Sequence, residues 1–166
     1  MGAMTPTVRA NVKAWECDVM EHMNVQYYLA RSTETIGQLQ VMLGLAAHPR
    51  LALIHRAERV LFMREMRNGE SYTVYSGILS MTDDTLTTFS EIHNLDNETI
   101  AARFIIDLQL TDLDNGQAAN FVKSALRSPW RLSELDSTLS CQLSRYFQCQ
   151  HCISTPRVSK GKRLSC

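Results

Sequence analysis

Asp18, His22, Asn24, Tyr27 and Tyr28 lie within one stretch of eleven residues, Asp18 to Tyr28. A carboxylate, an imidazole, an amide and two phenols so close together can do chemistry if the backbone gathers them. The stretch lies between a strand-like pattern and a helix-like one, and a helix start offers backbone N–H groups with no internal acceptor. An acid beside such donors can attack a carbonyl, or direct water at it, while the donors hold the oxygen. Asp18 is the candidate acid, and the backbone N–H groups near His22 to Asn24 are the candidate oxyanion site.

The flanking elements have to position these groups. Val8, Ala10, Val12 and Ala14 alternate with Arg9, Asn11, Lys13 and Trp15, which predicts a half-buried strand. After the polar stretch, Val25, Tyr28/Leu29, Ser32, Ile36, Leu39 and Leu43 mark one face at helical spacing. Asn24 is the expected N-cap and Gly44 the expected stop. Four β-rich runs follow, over 51–66, 72–81, 85–93 and 100–110, separated by Asn68-Gly69, Asp83-Asp84 and Asn94-Leu95-Asp96-Asn97. Turn clusters between β-branched and aromatic runs imply antiparallel pairing. One strand, one long helix and four strands predict an α+β domain, a five-stranded antiparallel sheet wrapped around a central helix.

Glu16-Cys17-Asp18, His22-Met23-Asn24 and Tyr28 together resemble the signature loop of the hotdog-fold acyl-CoA thioesterases, in the 4-hydroxybenzoyl-CoA thioesterase-like branch. The resemblance extends more loosely over residues 7–128. Glu21 stands where that family usually has Gly, and Val19 where Pro is common. The resemblance implies a hotdog fold and hydrolysis of an acyl-CoA to a free acid and CoA. It also implies active sites at the interface of a homodimer or dimer of dimers, and no cofactor beyond the CoA of the substrate. Two alternatives stay open: a hydratase-like enzyme on the same fold, or a non-catalytic acyl-binding or assembly module. Hotdog hydratases space the two groups Asp-x4-His, whereas here the spacing is Asp18-x3-His22.

With the resemblance, Asp18 is the catalytic nucleophile or general base; without it, a turn aspartate capping its own backbone is the commoner role. His22 either polarises the carbonyl, orients water or holds Asp18, or is bonded to the loop backbone. Asn24 is an N-cap first and a substrate contact second. Tyr27, Tyr28 and Arg59 are candidate substrate contacts, although for any one of Arg56, Arg59, Arg64, Arg67 and Arg103 a solvated strand arginine is the preferred reading. Glu34 is the rival acid, because another hotdog branch uses a glutamate on the central helix. Ten residues past Asn24, it lies roughly 15 Å from the helix start.

The 166 residues are 45% apolar and 20% charged, which suits one globular domain. The net charge of zero hides a division. Residues 141–166 carry five Lys/Arg and no acid, leaving twelve basic against seventeen acidic residues in the body, a net −5. An acidic body argues against nucleic-acid binding. No apolar run approaches membrane-spanning length, and no secretory signal is expected at the N-terminus. Only Cys17 lies in the body, so no internal disulfide framework forms, which favours the cytoplasm. The expected division is a hotdog domain over 1–140, with a short helix at 130–139, and a basic, flexible tail over 141–166. Cys141, Cys149, Cys152 and either His151 or Cys166 could bind zinc, but a single CxxC is a weak signal. A metal-free tail is the preferred reading.

Overall fold

The structure, a computed structural model, describes residues 4–121. The expected helix at 130–139 and the cysteine-rich tail lie outside them. The first strand, β1 (Thr5–Asn11), leads through a short 3-10 turn (Ala14–Glu16) to the helix α1 (Val25–Met42). Four strands follow: β2 (Leu51–Phe62), β3 (Ser71–Met81), β4 (Thr85–Asn94) and β5 (Thr99–Asp112). All pairs are antiparallel and the sheet order is β1-β3-β4-β5-β2. The predicted hotdog arrangement is therefore present: β1 and β2 are opposite edges, so the helix that joins them packs across one face.

The alternation read from sequence decides which side chains face that helix. Tyr72 and Val74 of β3, Leu86 and Ile92 of β4, and Phe104, Ile106, Leu108 and Leu110 of β5 are all buried. They meet Tyr28, Ile36, Leu39 and Leu43 in one core. Each such side chain contributes about 1.5–3 kcal/mol on burial. The helix starts where Asn24 Oδ1 accepts the Gln26 N–H at 3.1 Å, and it stops at Gly44, whose φ of 77° lies in the left-handed region. Val25 and Leu29, expected on the apolar face, are instead exposed near the helix start.

Two strand boundaries differ from expectation. The first strand ends at Asn11, because Glu16 reaches back to accept the Lys13 N–H at 2.9 Å and turns the chain. The second ends at Phe62, because the next two N–H groups, of Met63 and Arg64, both converge on the Ala101 carbonyl at 2.8 and 3.1 Å. Residues 63–70 then leave the sheet edge and pass beside the polar stretch, a placement that the apolar run did not signal.

Candidate active site

The segment from Cys17 to Met23 is a narrow loop closed by main-chain bonds. Cys17 and Met23 form a bridge, and the Asp18 N–H donates to the His22 carbonyl at 2.9 Å. The Glu21 N–H donates to the Asp18 carbonyl at 3.0 Å, completing a tight turn. Met23 N–H donates to Met66 O at 2.7 Å, and His22 bridges to Arg67, so the loop leans on residues 63–70. Glu21 closes the turn with φ 62°, a conformation that costs a side-chain-bearing residue about 1–2 kcal/mol. The family's usual Gly at this place is thus explained by backbone geometry. Because glycine also costs about 0.5–1 kcal/mol in unfolded-chain entropy, Glu21→Gly is expected to stabilise the fold by about 0.5–1 kcal/mol. Denaturant midpoints at unchanged slope would show the gain, and a loss would mean that the Glu21 side chain anchors the turn.

Asp18 uses one carboxylate oxygen to hold its own turn. Oδ1 accepts the N–H groups of Met20 at 2.8 Å and His22 at 3.2 Å. Oδ2 has no partner among the described residues, and the residue is exposed. The turn-capping role weighed from sequence is therefore realised, and it leaves one oxygen free in a fixed orientation.

The His22 ring turns away from Asp18. Its Nδ1 lies 3.2 Å from Glu65 Oε2, with the side chain 21% exposed, and only the His22 backbone reaches the Asp18 carboxylate. Asn24 is the N-cap, as its side chain shows. Tyr27 donates its hydroxyl to the Trp15 carbonyl at 3.1 Å, pinning the helix start to the preceding turn.

Tyr28 is buried, with its ring edge-on to Phe62 at a centroid distance of 5.5 Å. Its hydroxyl accepts the buried Met66 N–H at 3.1 Å and donates to Arg64 O at 3.5 Å. Loss of solvent pushes its pKa up to about 12, so the phenol stays neutral at neutral pH. The hydroxyl, a candidate substrate contact from sequence, is a brace for residues 63–70. Tyr28→Phe strands the Met66 N–H and is expected to cost about 2 kcal/mol. Chemical denaturation measures this, and a loss under about 0.5 kcal/mol would remove the brace from the account.

The arginines separate cleanly. Arg59 pairs with Asp107 at 3.2 Å, on the sheet face opposite α1. Within one chain it is not brought to the loop, because the two-residue period of β2 turns it outward. Arg56 bonds Gln109 and Arg103 bonds Glu91. Arg64 and Arg67, by contrast, are exposed on the segment that passes the loop. Glu34 pairs with Arg31 on the helix. Cys17, the one other nucleophile beside Asp18, is held protonated: loss of solvent first, then the charges of Asp18 and Glu16, raise its pKa.

The expected oxyanion donors do not survive as expected. The N–H groups of His22, Met23 and Asn24 donate to Asp18 Oδ1, Met66 O and Glu16 O. Val25 follows, the first residue of α1. Its N–H has no acceptor among the described residues, and the residue is 51% exposed. The signal for it was already in the sequence, since the residue after an N-cap has no carbonyl four back within its helix.

A family model described as the thioesterase-like superfamily matches residues 12–128. The chain belongs to this superfamily. No curated protein matches the sequence. Solved structures of the same fold include the probable thioesterase YbaW from Escherichia coli, with a TM-score of 0.62 and 18% identity over 74% of this chain and 94% of that one. The hypothetical protein SAV2348 from Staphylococcus aureus, solved in complex with CoA, gives 0.65 and 14% over 98% and 96%. Slr0204 from Synechocystis, a 1,4-dihydroxy-2-naphthoyl-CoA thioesterase, gives 0.61 and 15% over 79% and 96%. At these identities the likeness establishes the hotdog fold. Membership of the thioesterase-like superfamily makes thioester hydrolysis the reaction class of this chain. No helix among the described residues is long and apolar enough to cross a membrane.

Proposed function

We propose that this protein hydrolyses an acyl-CoA to a free carboxylic acid and CoA, with Asp18 as the reacting carboxylate and the Val25 N–H as the oxyanion donor. The observation that carries this reading is that Asp18 Oδ2 and the Val25 N–H, at the two ends of the segment 18–25, are both without a partner among the described residues. Oδ2 attacks the thioester carbon, or takes a proton from the water that attacks it. In the first case a mixed anhydride forms, the C–S bond breaks and the thiolate leaves; water then cleaves the anhydride. In both cases negative charge develops on the carbonyl oxygen, where the N–H and the positive end of the helix dipole stabilise it.

The SAV2348 complex with CoA supports CoA as the carrier. Arg64 and Arg67 are exposed on the segment that the loop leans on, with Arg67 bridged to His22, and they replace Arg59 as the proposed phosphate contacts. Exposed Trp15, Val19 and Met20 around the loop suit an apolar acyl group. A thiol-release screen across acyl-CoAs tests the whole reading. Turnover supports it; saturable binding without turnover would make the protein an acyl-binding module. Loss of an enoyl double bond with the thioester intact would make it a hydratase.

A second copy belongs to the proposal. β2 is a twelve-residue edge strand, while the β1 edge is short and carries Pro6 at a bulge. A long unprotected edge invites pairing with its own copy, giving a two-fold dimer or a dimer of dimers. Size-exclusion chromatography with light scattering should show a dimer or larger, and a strictly monomeric, fully active species would contradict it.

A further inference from the structure

We infer that Arg31 and Glu16 are a positioning pair that sets the separation of Asp18 from the Val25 N–H, an inference that rests on the thioesterase reading above. Glu16 is a buried carboxylate at the end of the 3-10 turn, two residues before Asp18. Bonds from three other residues meet at this one residue. Oε2 accepts the Lys13 N–H at 2.9 Å, Oε1 meets Arg31 Nη2 at 2.6 Å, and its backbone carbonyl accepts the Asn24 N–H at 2.8 Å. The exit from β1, the body of α1 and the N-cap that precedes Val25 are thereby tied to a single point.

Arg31 holds that point against the sheet. Its guanidinium carbon lies 6.0 Å from the centre of the Tyr72 ring, and Tyr72 is fully buried on β3. Its Nη1 also bonds Glu34, while its Nε is buried without a partner among the described residues. An ion pair with 12% and 7% of its side chains exposed is a poor source of net stability, because desolvation offsets most of the attraction. What such a pair supplies is direction. The Arg31 fork fixes Glu16, and Glu16 fixes both flanks of the loop that carries the reacting groups. Neither residue touches the carbonyl to be cleaved.

Three variants test this: Glu16→Gln, Arg31→Met and the two combined. Each single change strands a buried partner, so both should lower the melting temperature. The double change removes the pair together and should regain much of it. Turnover should behave differently. A displacement of about 1 Å in reacting groups costs on the order of 10²-fold. kcat should therefore fall by about 10- to 100-fold in all three, with KM nearly unchanged, and Arg31→Lys should recover part of it. Amide exchange at Met20, His22 and Asn24 should accelerate in the same variants, while the centre of α1 keeps its protection. Recovery of kcat alongside the melting temperature in the double variant would overturn the inference and leave the pair purely structural. Unchanged exchange at the loop amides would also overturn it. Asp18→Asn, assayed in parallel, separates the two levels: if it retained turnover, Asp18 would not be the reacting carboxylate, and the exchange data would still judge the positioning.

Discussion

Asp18→Asn is expected to fold and assemble as the parent does and to lose at least about 10²-fold in kcat. The substitution is unusually clean here. An asparagine oxygen can still accept the N–H groups of Met20 and His22, so the turn that Oδ1 now holds is kept. What disappears is the second carboxylate oxygen, the one without a partner, and with it both nucleophilicity and basicity. The measurement is steady-state thiol release on whichever acyl-CoA the screen identifies, with thermal melting as the control for folding. Near-normal turnover would show that the carboxylate merely caps its loop. Glu34→Gln would then be the next variant to assay, although its pairing with Arg31 makes that acid a weaker candidate.

Val25→Pro probes the other half of the site. Proline at the first position of a helix is well tolerated, since that N–H has no intrahelical acceptor and the ring already holds a helical φ. The preceding residue must be extended, and Asn24 is, with φ −65° and ψ 142°. The substitution therefore removes one hydrogen-bond donor and leaves the helix, its cap and its neighbours in place. Loss of a single oxyanion donor costs about 10²–10³-fold in kcat, which is the expected result, with the melting temperature held or slightly raised. A folded Val25→Pro protein with full turnover would move the oxyanion site elsewhere.

The fold was legible because its signals are periodic. The alternation from Ile100 to Leu110 and the helical spacing from Tyr28 to Leu43 both follow from one buried face per element; Ala102, Phe104, Ile106, Leu108 and Leu110 and Tyr28, Ser32, Ile36, Leu39 and Leu43 are buried, while Ile100 is half-buried and Leu29 exposed. Asn24 and Gly44 marked the helix ends for the same reason, since cap chemistry is local. Legibility failed where tertiary contacts decide. Nothing in the run 51–66 showed that Met66 would be fully buried against the Tyr28 hydroxyl, or that residues 63–70 would support the motif loop. Arg59 was readable as a cation on a strand, but its outward face depends on the register with β5. The imidazole of His22 was placed near Asp18 by sequence spacing. Its ring follows Glu65, forty-three residues away in sequence, and spacing carries no information about that partner. Membership of the thioesterase-like superfamily agrees with the reaction class that the short motif suggested.

The loop that carries Asp18 is held by main-chain groups and by the Asp18 carboxylate itself, so the residues at its tip are released from structural duty. Val19 is 98% exposed and Met20 69% exposed. Of the two, only Met20 contributes to the turn, through its N–H, which every residue except proline possesses. Changes at these two positions can therefore accumulate without disturbing the turn that holds Asp18. Under the proposed function, such an arrangement would make acyl preference evolvable: a lineage could explore side chains at 19 and 20 one mutation at a time while turnover persists. A combinatorial library at these two sites, selected on competing acyl-CoAs, would sample the same route in the laboratory.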